Sequence, residues 1–127
     1  MSLLHPGPGD FQDRLAILSM KIGAGKARSL NVSHLEAEQH EIGERLSPFL
    51  DSPHWLRWTC ALAEINGRIW DITDEVRFLE AAAHKDGNLR QAGELAREAL
   101  RLNWRRACIV QEINEAFGAS AGWEKLP

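Results

Sequence analysis

The stretch WLRWTCALAEINGRIWDITDEVRFL, residues 55–79, decides the fold. Trp55, Trp58, Leu62, Ile65, Ile69, Ile72, Val76 and Leu79 recur at alternating spacings of three and four. That heptad pattern lets one helix present an unbroken apolar seam to another. Ser52 followed by Pro53 reads as an N-cap with proline at the first helical position, so the helix is expected to run from Ser52 to about His84. At about 1.5 Å per residue its length is roughly 45–50 Å, and it needs a partner of comparable length. The downstream sequence supplies one. Asp86-Gly87 marks a turn, Asn88 and Gln91 make a start resembling a capping box, and a second long helix can run to Phe117 before Gly118 stops it. A short turn makes the two helices antiparallel neighbours.

Upstream, two shorter amphipathic helices are expected. The first runs from about Asp10 to Ile22, with Phe11, Leu15, Leu18 and Ile22 on one face, Asp10 as N-cap and Gly23 to Gly25 as a C-terminal stop. The second opens on Ser33-His34-Leu35-Glu36, a capping-box pattern, and carries Leu35, Ile42, Leu46 and Phe49. Alternating apolar and polar runs of strand length are absent. The expected fold class is all-α: an up-and-down bundle of about four helices around a long antiparallel hairpin. Residues 1–127 are expected to form one helical domain, with 1–9 and 119–127 as loose tails.

Composition narrows the function. Over 127 residues, 26% charged and 44% apolar residues are ordinary globular usage. A net charge of −3 gives no general attraction to nucleic acid or to an anionic membrane surface. Met1 to Gly9 lacks the basic and apolar regions of a signal peptide, and no stretch has the length of apolar sequence that spans a bilayer, so the cytoplasm is the expected compartment. Cys60 and Cys108 have no metal-ligand spacing and are expected to be reduced, buried or half-buried thiols. No cofactor motif stands out. Gly23-Ala24-Gly25-Lys26 is a poor phosphate loop, because Ala27 stands where Ser or Thr should bind magnesium and Met20 where the first glycine belongs. His34, Glu38 and Glu41, like Glu36, His40 and Glu44, follow helical spacing. No second helix offers a matching Glu-x-x-His, so they read as a solvated face and not a metal site. Arg97, Arg101 and Arg105 make a basic stripe that Glu94 and Glu98 dilute.

The informative residues are polar groups in or beside the seam. Stepping back from Phe117 through Ile113 and Val110 puts Arg106 and Asn103 on the seam of the last helix. A turn centred near Asp86-Gly87 places Asn103 opposite Trp70 and Arg106 near Asn66 and Gly67. On the third helix Asn66, Trp70, Asp74 and Arg77 form a second stripe, and Ala96 and Ala99 leave room beside Asp74 and Arg77. Two readings stand. In one, the groups satisfy one another, with Arg106 paired to Asp74 and the network fixing helix register. In the other, they line a cleft for a small anionic or sugar-like ligand, with Arg106 or Arg77 as anion clamp and Trp70 as stacking wall.

The segment Asn66-x3-Trp70-Asp71-Ile72-Thr73-Asp74-Glu75-Val76-Arg77, with Asn103-Trp104-Arg105-Arg106-Ala107 and Glu112-Ile113-Asn114, resembles a family of small helical bacterial proteins of unknown function. These are often encoded beside glycosyltransferases of surface-polysaccharide gene clusters. Asp13-Arg14-Leu15-Ala16-Ile17-Leu18 is similar to the family's opening motif. The chain departs from the pattern at Thr73 (Glu in the family), Trp104 (Asp), Val110-Gln111 (Lys-Arg) and the terminal Glu124-Lys125-Leu126-Pro127. The resemblance implies an all-helical fold and points to Asn66, Trp70, Asp74, Arg77, Asn103 and Arg106.

No nucleophile, base and orienting group stand together in the sequence, so the expected function is a non-catalytic helical binding or accessory protein linked to surface-polysaccharide biosynthesis, with a protein or glycan partner. The alternative is a small mutase-like or lyase-like enzyme using Asp74 with Arg77 and Arg106 on an anionic substrate. Five tryptophans exceed what a two-helix seam can bury. Trp55, Trp58, Trp104 and Trp123 therefore point to a homodimer; the alternative is a closed four-helix monomer in which the first two helices and the glycine-rich tail fold back over these rings.

Overall fold

The structure, a computed structural model, describes residues 6–118. It contains α1 (Pro8–Ala27), α2 (Ser33–Leu46), α3 (Trp55–Ala81) and α4 (Asn88–Ala116), with a 3-10 turn at Ser47–Phe49 and no strand among the described residues. The chain is an all-α bundle built on the α3–α4 hairpin. α1 lies against both hairpin helices, and α2 packs chiefly on α1.

The seam of α3 behaves as its spacing requires. Trp58, Leu62, Ile65, Ile72 and Leu79 are buried, while Trp55, Ile69 and Val76 are half-buried. Among the described residues, two apolar clusters stand out. Trp58, Leu62 and Ile113 close the open end of the hairpin with Ala16, Ile109, Val110 and Phe117. Leu18, Ile42 and Leu46 hold α2 on α1, with Phe11, Leu15, Phe49 and Trp55 around them. Phe117 joins the two, its ring 5.8 Å from Trp58 and 4.7 Å from Phe49. Each fully buried Leu or Ile contributes about 1.5–3 kcal/mol, so these clusters are the main source of stability.

Helix boundaries differ from the sequence expectation in several places. α1 starts earlier, with Pro8 at its first position, and Asp10 is not the N-cap: its Oδ2 accepts the Gly7 N–H at 2.9 Å from inside the first turn. Gly7, Pro8 and Gly9 are buried, so the expected loose tail stops short of them; residues 1–5 and 119–127 lie outside the described residues. Gly9 is needed for contact, since a Cβ there would run into the Val110 carbonyl and the Asn114 amide. Gly23 and Gly25 likewise do not stop α1. The helix passes through them, and Gly25 lets the Val32 side chain sit against its backbone. The chain leaves the helical path at Ser29, with φ 57°.

The other ends shift by smaller amounts. Val32, not Ser33, is the N-cap of α2, and Asn31 Oδ1 accepts from the Ser33 N–H at 3.0 Å and the Ser33 hydroxyl at 2.8 Å. Ser52 and Pro53 lie in a turn ahead of α3, which begins at Trp55 and ends at Ala81 instead of near His84. Gly87, with φ 82°, precedes α4, and Asn88 sends its side-chain amide back to the Ala82 carbonyl at 2.7 Å, closing the end of α3. Cys60 and Cys108 are exposed, contrary to expectation. Each lies two residues, about 200°, from an inward position (Trp58 and Arg106), on the outer face of its helix. No described helix is long and apolar enough to cross a membrane.

Candidate functional site

Asn66 follows Ile65 at the edge of the α3 seam, where α1 crosses the hairpin, and it is 2% exposed. A buried amide needs partners for both its donor and its acceptor. Its Nδ2 donates to Asp13 Oδ1 of α1 at 2.7 Å, and its Oδ1 accepts from Arg106 Nη1 of α4 at 2.8 Å. Arg106 Nε stands 3.7 Å from Asp13 Oδ2 and closes the triangle. One amide thus spans an ion pair and ties three helices together. The approach of Arg106 to Asn66 is the one the hairpin register requires.

The partner of Arg106 is a correction: it is Asp13, not Asp74. Asp74 lies eight residues beyond Asn66, which is about 12 Å along α3 and about 80° around it, and it is exposed. Trp70 is half-buried between them. Arg77 returns to the Asn66 side but about 16 Å away. There it lines a separate groove of about 420 Å³ with Thr73, Val76, Glu80, Ala96, Ala99 and Leu100. Ala96 and Ala99 therefore make room beside Arg77 but not beside Asp74. Asp74, Arg77 and Arg106 do not form one site.

Two turns beyond Arg106, Asn114 extends the polar network. Its Oδ1 accepts the Gly9 N–H at 2.7 Å, and its Nδ2 donates to Asp10 Oδ2 at 3.0 Å. The start of α1 is thereby pinned to the end of α4. Beside these groups lies a cleft of about 750 Å³ between α1 and the C-terminal half of α4. α1 contributes Asp10 and Asp13, and α4 contributes Asn103, Arg106, Ala107, Val110, Gln111, Asn114 and Glu115. Gln111 Nε2 donates to Glu115 Oε1 at 2.9 Å within the lining.

The sequence pattern marks Asn103 and Arg106 as site residues but not Asp10, Asp13, Gln111, Asn114 or Glu115. The signal for two of them was present, because Asp10 and Asp13 are three residues apart and share a face of α1. Asp13 and Asn114 also stand in the segments that carry the family resemblance.

The chemistry of the lining is specific. Among the described residues, three carboxylates face one guanidinium that Asp13 already engages, so this lining does not favour an anion. Carboxylates accept and amides both donate and accept, a set that suits hydroxyl groups. Among the described residues, no Ser, Cys, His or Lys lines the cleft.

Among the described residues, two arginine–carboxylate pairs outside it are held by two hydrogen bonds each. The Arg14 guanidinium donates to Glu38 at 2.8 and 3.0 Å and holds that carboxyl below its usual range. Arg68 does the same to Glu98 at 2.9 and 3.1 Å. Glu38 is therefore the partner of Arg14 across α1 and α2. Near the open end of the hairpin, Glu112 accepts the Trp58 indole N–H at 2.7 Å, with Arg57 at 3.6 Å.

Comparison with known proteins gives no match: no family model, no curated protein and no solved structure matches this chain.

Proposed function

We propose that the chain is a non-catalytic accessory protein of surface-polysaccharide biosynthesis, acting in the cytoplasm, and that it binds a neutral sugar-like ligand in the cleft between α1 and α4. The observation that carries this reading is the lining itself: carboxylates and amides of Asp10, Asp13, Asn103, Gln111, Asn114 and Glu115 converge on a cleft of about 750 Å³. The link to polysaccharide rests on the family resemblance. Isothermal titration with neutral oligosaccharides and nucleotide sugars tests it. The expected result is saturable binding of a neutral oligosaccharide, weakened about tenfold by Asn103→Ala with the melting temperature unchanged. Turnover of any of these compounds that Asp13→Asn abolishes would replace the binding role with an enzymatic one.

We also propose that the protein self-associates. Leu100 and Trp104 are 69% and 70% exposed on α4, and Leu56 and Phe78 are each 72% exposed on α3. Exposed large apolar side chains of this number support an interface between copies. Light scattering at micromolar concentration is expected to exceed the monomer mass of 14.3 kDa. A mass held at the monomer value over a wide dilution range excludes the dimer.

A further inference from the structure

On the other side of α1, where α2 and α3 both flank it, lies a second groove of about 450 Å³. Leu15, Ala16, Leu46, Trp55 and Ala63 contribute apolar surface to it, and among the described residues none that lines it is charged. Gln12 also lines it and is 2% exposed. Its Nε2 donates to Thr59 Oγ1 at 2.8 Å and to the Trp55 carbonyl at 3.3 Å. The carbonyl can only accept, so it fixes which way the amide faces. Gln12 Oε1 is then left buried, with no hydrogen-bond donor reaching it among the described residues. A buried acceptor of this kind lacks compensation for the water it lost on folding, unless a ligand supplies a donor.

We propose that this groove binds a neutral, largely apolar small molecule bearing one hydroxyl or N–H group, which donates to Gln12 Oε1. The uncharged lining among the described residues sets the neutrality of the ligand. The apolar walls set its body, and the single unpaired oxygen sets the one polar contact. The site is separate from the α1–α4 cleft, and its ligand is of a different class.

The test uses the full-length protein and 2-naphthol, with naphthalene as the same body lacking the donor, in calorimetric titrations. Saturable binding of one 2-naphthol is expected, about tenfold tighter than naphthalene. Gln12→Met, which keeps the volume and removes the acceptor, is expected to abolish that difference. Ser19→Trp, at an exposed position on the rim, is expected to weaken both ligands at least tenfold with the helical circular dichroism unchanged. Failure of 2-naphthol to bind saturably, equal affinity for the two compounds in the unaltered protein, or binding indifferent to Ser19→Trp overturns the proposal. The naphthol and naphthalene comparison needs no variant, so it decides the role of the donor even where Gln12→Met fails to fold.

Discussion

Toward α4, α1 turns Asp10 and Asp13 into a cleft rich in charge and amides; toward α2 and α3 it turns Gln12, Leu15, Ala16 and Ser19 into a groove with no charged residue among those described. The two sets are about half a turn apart on the same helix. In the first, each buried polar atom of Asn66 meets a partner, and an ion pair is held open to the cleft at 17% and 28% side-chain exposure. In the second, apolar packing provides the cohesion and one acceptor is left over. The lesson concerns how the same helix can be anchored: on one side by directional bonds that fix where α1 crosses the hairpin, on the other by burial that fixes how closely α2 approaches.

If apolar burial is the stronger anchor, the largest loss of stability comes from that side. Leu18 is fully buried and packs with Leu46, a wall of the apolar groove. Leu18→Ala is expected to destabilise by about 3 kcal/mol in urea unfolding. Asn66→Ala, which leaves Arg106 and Asp13 without their bridging amide, is expected to destabilise by about 2 kcal/mol. A larger loss for Asn66→Ala than for Leu18→Ala would reverse the comparison and make the polar network the principal anchor of α1.

The smallest effect belongs to the Arg14–Glu38 pair, which links α1 to α2 at a solvated edge with side chains 37% and 39% exposed. Solvent screening keeps Glu38→Gln below about 1 kcal/mol at neutral pH. The sign of its pH dependence follows from the lowered carboxyl value, whose first cause is the hydrogen bond from Arg14. The contribution is present above the ordinary carboxylate range and is lost as pH falls through the folded-state value. Urea unfolding of the unaltered protein and Glu38→Gln, compared at neutral and at strongly acidic pH, is expected to show the difference shrinking toward zero in acid.

The sequence alone determined the hairpin. Eight apolar residues from Trp55 to Leu79 at heptad spacing demand an equally long partner, and Asp86-Gly87 sets where the chain turns to provide it. Once the turn is placed, antiparallel register follows, and that register alone predicts Arg106 beside Asn66. What only the tertiary structure decided is which element covers that pair. Asp13 and Asp74 are both acids at helical spacing from apolar neighbours. Choosing between them depends on where α1 crosses the hairpin, and no local pattern encodes that crossing. The same holds for Gly9 and Gly25, which read as punctuation in the chain but are positions where another helix or side chain comes too close for a Cβ. Periodicity reports the face a helix buries, but a close approach or a third partner exists only between segments distant in sequence, and so appears only once they are packed.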